Sequence, residues 1–503
     1  MDAMKRLGFD RLIETRSSRE RDLVVAMVAG RILAPEASKL GMTQAWGDTT
    51  LSDDIGIAGA HEDELYKAMD WLIERQGAIE KRLAKRHLKA GGLVLFDLTS
   101  SWFTGTKCPL AKIGYSRDGR PGTLQVNYGV LTDGRGCPVS VSVFDGNTGD
   151  PKTLLPQVEK VQAEFGIDTL VMVGDRGMIS SVQIDAMRKI DGVPWITALK
   201  SGAIAKLAEG GALQLDLFDE RNLIALTSAD YPGERLVACR NPALAKLRTQ
   251  KRRELIAATV IDLEKVKAMV ASGRLRGAGR IGERVGKVIG KYKVAKHFDR
   301  DIEDSSFSFS VNEERVAAEA ALDGLYVIRT SVATADMSAE QAVLSYKLLA
   351  EVERAFRTSC RRRASGTMKG VDLHVRPIRH HLEGRVKAHI FLSMLAYYVQ
   401  WHMAQALKPL LFTDEASGQE KQDRDPVAPA RRSMATLDKV HSRQLADGTS
   451  PLSFGGLLGH MATIVRNTLR PKEARPGEAT FTLTTRPNPK QQQALDLLAA
   501  ITV

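Results

Sequence analysis

Cysteine is scarce. The chain has four, Cys108, Cys137, Cys239 and Cys360, and no two form a CxxC pair. That spacing argues against a zinc cluster or a disulfide framework. The ten histidines offer no clear substitute, and the densest group, His374 with His380 and His381, reads as surface or phosphate-contacting. Long apolar runs are missing too. The longest, such as residues 23–30, fall far short of the ~20 residues that cross a bilayer. No signal-peptide pattern opens the chain, so a cytoplasmic protein without membrane attachment is expected. Aromatics make up 6% of residues, and none of the five tryptophans (Trp46, Trp71, Trp102, Trp195, Trp401) lies in 201–322. There are no internal repeats, which excludes a solenoid or propeller.

What is present fits a soluble globular protein: 43% hydrophobic and 26% charged residues. A chain of 503 residues holds roughly 3–4 domains of typical size. The formal net charge of +12 and pI of 9.4 favour a polyanionic partner, most simply nucleic acid. The plain alternative is a merely basic protein.

Residues 1–90 read as helical. Ser17 and Ser18 can cap a helix that Pro35 ends, and a longer helix is expected over 62–88. Gly91-Gly92 then breaks the pattern. Apolar runs at 93–98, 125–131 and 139–143 predict strands, the last two joined by the turn Asp133-Gly134-Arg135-Gly136. Helices at 152–165 and 182–190 alternate with strands at 169–173 and 195–199, which makes the fold class α/β with a sheet of mixed direction flanked by helices. Residues 201–322 interrupt this alternation. They carry a β-hairpin signal, a basic helix over 247–270, a Gly- and Arg-rich passage at 273–290 and β-like segments near 307–311. The core pattern resumes at 325–330, so 201–322 reads as an inserted domain. An apolar helix at 384–405 follows, then a linker-like segment at 413–433 and a basic tail with one helix at 457–469.

Three acidic residues stand out. Asp97 lies in the apolar strand Leu-Val-Leu-Phe-Asp97-Leu-Thr-Ser, and Asp175 ends another, Val-Met-Val-Gly-Asp175-Arg-Gly. Glu353 falls on a helix face with Leu349 and Phe356. Carboxylates amid apolar sequence are costly to bury unless protonated, paired or metal-bound. Ordinary explanations exist: an aspartate capping a turn, or ion pairs with Arg176 and Arg354. The other reading is a set of ligands for hard divalent cations, which take few carboxylates plus water and phosphate oxygens.

Asp97-Leu-Thr-Ser, Val-Gly-Asp175-Arg-Gly-Met and Tyr346-Lys-Leu-Leu-Ala-Glu-Val-Glu353-Arg-Ala-Phe-Arg, in this order, resemble the bacterial insertion-sequence DDE transposases. More narrowly, they resemble those with a ribonuclease-H-like core and an insertion domain between the second Asp and the Glu. The resemblance implies that Asp97, Asp175 and Glu353 are catalytic and hold two Mg²⁺ ions, with Mn²⁺ able to substitute. It implies DNA contacts at Arg176, Tyr346, Lys347, Arg354, Arg357 and Lys369. Its expected partners are double-stranded DNA, both terminal inverted repeats and target, and a second copy of the chain in the DNA complex. The domains are then 1–90 for DNA-end binding, 91–200 and 323–410 for the catalytic core, 201–322 for the insertion, and 411–503 for the linker and tail. The basic stretch 248–296, including Lys251, Arg252 and Arg253, suits contact with DNA phosphates.

The chain departs from this family pattern at three points. Leu349 stands where relatives carry an arginine, so that phosphate clamp is either absent or supplied by Lys347, and Cys360 stands where they carry a lysine. Removing 359–367 (Ser-Cys-Arg-Arg-Arg-Ala-Ser-Gly-Thr) would restore Lys369 to that place. This implies an insertion that is either a tolerated loop or the mark of a decayed copy that only binds DNA. Lastly, with no tryptophan in 201–322, stacking of a base flipped from a DNA hairpin, if one forms, would fall to Tyr292, Phe298 or another aromatic.

Overall fold

The computed structural model describes residues 1–34, 37–213, 218, 222–356, 375–414, 425–428, 432–445, 447–471 and 480–502. The chain forms two compact units: 1–197 with 344–424 and 431–503, and 198–343 with 425–430.

In the first unit, helix α1 (Arg19–Leu33) starts where the Ser18 hydroxyl accepts the Arg21 N–H. The single helix expected over 62–88 is instead two, α2 (Glu62–Glu74) and α3 (Gln76–His87). The break falls at Arg75, whose guanidinium folds back over the Trp71 ring at 4.1 Å, just before Gly77, a poor helix former. Besides the two-residue edge strand Lys112–Ile113, five strands follow: β1 (Leu93–Trp102), β2 (Leu124–Asp133), β3 (Pro138–Asp145), β4 (Val171–Val173) and β5 (Trp195–Ala198). β2 pairs antiparallel with both β1 and β3, whereas β4 runs parallel to β1 and β5 parallel to β4. This order, β3-β2-β1-β4-β5, is that of a ribonuclease-H-like sheet. Gly129 of β2 is required there, since a Cβ would stand 2.4 Å from the Phe96 ring of β1. The helix expected over 152–165 is irregular: a 3₁₀ turn (Asp150–Thr153), a short α-helix (Leu155–Glu159) and a π-turn (Lys160–Glu164).

In the second unit, β6 (Leu223–Leu226) and β10 (Leu325–Thr330) flank β7 (Arg235–Arg240), all antiparallel. From it extends helix α4 (Pro242–Ala271), whose 30 residues make a rod of about 45 Å. The Gly- and Arg-rich passage is largely helical: α5 runs over Ala278–Tyr292. Its Ile281, Val285 and Ile289 recur every four residues and bury against Leu263, Val266 and Val270 of α4. That burial offsets the cost of about 1 kcal/mol for each interior glycine. The hairpin of β8 (Phe298–Ile302) and β9 (Phe307–Val311) completes this core. Part of the segment expected to be a linker is also fixed here. Val427 is buried and its carbonyl accepts a 2.9 Å hydrogen bond from Asn241 Nδ2; residues 415–424 and 429–431 of that segment lie outside the described residues.

The remaining helices that matter for the site are α6 (Ala339–Lys347), α7 (Leu349–Phe356) and α8 (Glu383–Ala406). α8 is buried along most of its length against α1, α2 and β3. No described helix is long and apolar enough to cross a membrane. The C-terminal part is more structured than a tail. The helix expected over 457–469 is Phe454–Met461, capped by Ser453, and Arg466–Leu469 instead pairs as a strand with Phe481–Thr484. Phe454, Leu457 and Ala494 share a core with Leu407, Leu410 and Leu411 at the end of α8.

Candidate active site

Asp97 sits mid-strand in β1, opposite Val130 of β2, and its Oδ1 accepts the Leu98 N–H at 2.8 Å. The residue is half-buried. Burial pushes its carboxyl up to about 7; the charges of Asp175 and Glu353 add to this, while the Leu98 N–H and Arg117 oppose it. Asp175 lies two residues beyond β4 in an exposed turn, with Oδ1 accepting the N–H groups of Gly177 (2.9 Å) and Met178 (2.8 Å). The turn fixes this carboxylate at the end of a parallel strand, where open α/β sheets place ligands.

Glu353 differs from expectation. The buried face of α7 is Leu349, Val352, Ala355 and Phe356, and Glu353 stands exposed at its edge. Phe356 anchors the helix edge-on against Tyr128 of β2, ring centres 6.0 Å apart. Arg354 pairs with Glu351 at 2.6 Å. Tyr346, on α6, lies within electrostatic reach of the same three carboxylates. Burial first, then Asp175, Glu353 and Asp97, push its hydroxyl up to about 12, with Arg176 acting against them.

Three carboxylates from β1, the β4 turn and α7 therefore feel one another's charge, with Tyr346 beside them. They are not a tight cage. Among the described residues, only His87, Cys137 and His402 bring three ligand atoms within 4.8 Å of one another. The looser arrangement suits hard cations that also bind water and phosphate oxygens. The mutual repulsion at Asp97 is what a bound cation would relieve.

Residues 93–398 match the family described as "Transposase DDE domain". The chain belongs to the DDE transposase family. No curated protein matches it. Among solved structures, it is similar to the cryo-EM piggyBac transposase synaptic complex with hairpin DNA at 8% identity and a TM-score of 0.35, over 82% of this chain and 73% of that one. It is also similar to the Mos1 transposase paired-end complex with left transposon end at 14% identity and a TM-score of 0.15, over 33% of this chain and 59% of that one.

Other residues singled out in this transposase chain fall into separate groups. Arg176 is exposed and Lys347 half-buried. Lys251 and Arg253 are exposed on α4, but Arg252 is not available to DNA: it is buried, and its guanidinium is paired with Asp323 at 2.5 Å. Phe298 is a core residue and the Tyr292 hydroxyl bonds Asp262, so neither is a ready stacking platform. His380 is half-buried, packed edge-on against Tyr66, rather than on the surface. Arg357, Lys369, Cys360, His374 and the 359–367 insertion lie outside the described residues.

Sequence reasoning missed Arg117. It is half-buried, held by Asp150 and by the Ser100 hydroxyl that accepts its backbone N–H, and its charge reaches Asp97. It lies in the Tyr-Ser-Arg117-Asp-Gly loop, where no periodicity marks it. Gly136 was also passed over as a simple turn residue. Its φ of +84° is left-handed, and a Cβ there would stand 2.8 Å from Cβ of Glu351 on α7. Gly136→Ala is expected to cost about 1–3 kcal/mol of stability and to displace α7. Cleavage assays should show activity falling further than the thermal melt alone accounts for. Unchanged activity in a folded variant would mean that this turn does not set the position of Glu353.

Proposed function

We propose that this transposase binds the terminal inverted repeats of an insertion sequence and moves it by cut-and-paste, through metal-dependent strand cleavage and strand transfer. The observation that carries this is the Asp97 carboxyl, held near 7 by burial and by Asp175 and Glu353. A site so poised favours divalent cations, and its all-oxygen donors favour Mg²⁺, with Mn²⁺ as substitute. Two such ions, when bound, lower the barrier to attack by water or a 3′-hydroxyl and stabilise the departing oxygen.

The chain's own residues hold and aim that chemistry. Leu98 N–H fixes Asp97, and the Gly177 and Met178 N–H groups fix Asp175. Tyr346, half-buried beside all three carboxylates, is suited to position a scissile phosphate. Exposed Arg176 and half-buried Lys347 supply positive charge near the strands being cut. In the second unit, Lys251, Arg253, Arg274, Arg276, Arg280, Arg284 and Lys287 are exposed and suit contact with DNA phosphates. The helices of 1–90 are assigned to end recognition, and a homodimer would process two ends together. Net charge +12 supports a DNA partner.

The test uses DNA carrying the inverted repeats that flank the gene, with purified protein and Mg²⁺ or Mn²⁺, and Asp175→Ala alongside. Metal-dependent cuts at the repeat boundary and joined products, both absent in the variant, are expected. Cutting without joining would reduce the protein to a nuclease. Binding without cutting would make it a decayed copy that only grips DNA.

A further inference from the structure

A second cluster of ligand-type side chains lies away from the carboxylates, and the proposed transposition chemistry does not use it. His87 closes α3, Cys137 follows the Asp133–Gly136 turn between β2 and β3, and His402 lies on α8. Their ligand atoms all fall within 4.8 Å of one another. We infer that His87, Cys137 and His402 form a binding site for a borderline-soft divalent metal ion, Zn²⁺ by chemistry, which braces the junction of α3, the β2–β3 turn and α8.

The geometry is close to what coordination needs. Cys137 Sγ stands 3.7 Å from His402 Nε2. Zinc bonds of about 2.3 Å to sulfur and about 2.0–2.1 Å to nitrogen, at a tetrahedral angle, place those atoms about 3.6 Å apart. The His87 and His402 rings are 5.5 Å apart between centres. The Tyr398 hydroxyl, 3.0 Å from His87 Nε2, lies beside the cluster, so the fourth position falls to it or to water.

The protonation states also suit a metal. Burial, with Arg135 and Arg86 adding, holds His87 at about 4. Burial, with His87, Arg135 and Arg86 adding, holds His402 at about 3. Both rings are therefore neutral at physiological pH and carry a lone pair. Burial pushes the Cys137 thiol up, so in the metal-free protein it stays protonated beside His402. Metal binding displaces that proton to solvent and forms the metal–thiolate bond, with no redox change. Two features oppose the ion. Arg135 Nη2 lies 3.2 Å from His87 Nδ1, and His87 must give up one of its two present hydrogen bonds. The Arg135 side chain is 63% exposed and keeps its ion pair with Asp133 at 2.8 Å when the His87 contact is given up, while Asp133, buried beside Cys137, offsets charge.

Hard cations such as Mg²⁺ disfavour this sulfur and nitrogen set, which separates the site from the carboxylates. The ligands also explain one another's burial. Two imidazoles and a thiol are a poor choice for filling an apolar junction but a usual one for zinc.

The test is cobalt substitution of the full chain. Protein stripped with chelator is given one equivalent of Co²⁺ in excess Mg²⁺, which occupies oxygen sites. A thiolate-to-cobalt charge-transfer band is expected in the wild type and in Cys108→Ser, and it should vanish on adding Zn²⁺. It should be absent in Cys137→Ser. Elemental analysis after gel filtration should find one zinc per chain in the wild type and in Asp97→Asn. Because the wild-type band decides the matter, failure of Cys137→Ser to fold leaves the test intact. No band and no retained zinc in folded wild type would overturn the site, and so would a band that persists in a folded Cys137→Ser. Neither result bears on whether the carboxylate site cuts DNA.

Discussion

Asp97→Asn is expected to abolish cleavage and, without metal, to raise the melting temperature at neutral pH. The two effects share one cause. The carboxyl stands near 7 in the fold against 3.8 when unfolded, so the folded protein prefers it protonated. Its contribution to stability is complete below about pH 4 and is lost as pH rises through 7. Asparagine keeps a neutral group at every pH. The variant's advantage should therefore be negligible at pH 4 and grow toward pH 8. Each tenfold displacement in acidity is worth about 1.4 kcal/mol, so it reaches a few kcal/mol at most. Magnesium should close the gap by stabilising only the wild type. Cleavage should fall by at least about a hundredfold, because even groups that merely orient a metal ligand cost about 10–100-fold. Scanning calorimetry across pH, with and without Mg²⁺, checks the first effect and denaturing gels the second. A melting difference that does not change with pH would mean that Asp97 is not held protonated by its neighbours.

The largest loss of stability should come from Arg329→Met in the second unit. Arg329 donates from Nε and Nη2 to the two Glu234 carboxylate oxygens, each at 2.6 Å, and its guanidinium lies 4.9 Å from the Tyr231 ring centre. The Glu234 side chain is fully buried. Removing the arginine leaves a buried charge without its bidentate partner, at a cost of about 3–5 kcal/mol. Arg329→Met with Glu234→Leu removes both charges and should recover most of that loss. Urea unfolding of the single and double variants measures it. A single variant within 1 kcal/mol of wild type, as an order of magnitude, would class the pair with surface ion pairs.

What could be read beforehand follows from how local each signal is. β1, β2, β4 and β5 announced themselves as apolar runs because both faces are buried, and no register was needed to see them. The order of Asp97, Asp175 and Glu353 was legible through motifs that sit within a few residues of each carboxylate. Exposure was not. Glu353 reads as part of an apolar stripe, and only the packing of α7 through Val352 and Ala355 turns it outward. α5 was hidden because its glycines mimic a loop, while three well-spaced aliphatics do the folding. Arg252 resembles its neighbours Lys251 and Arg253 in every local respect, and Asp323, which buries it, lies far along the chain. The same distance concealed His87, Cys137 and His402, since a spacing rule for metal sites sees only ligands that are close in sequence.

Glu353 comes from a segment made after the whole of 198–343, although its partners Asp97 and Asp175 precede that unit. At roughly 5–20 residues per second of synthesis, the nascent chain carries two of its three acidic groups for on the order of ten seconds before the third exists. On the proposed function, the protein is thus chemically silent while it is being made. A message cut short anywhere in the second unit yields a fragment that keeps the N-terminal helices and most of the first sheet but lacks the third carboxylate. If the N-terminal helices grip DNA ends as proposed, such fragments would occupy those ends without opening them, and a damaged gene would act as a brake on intact copies of itself.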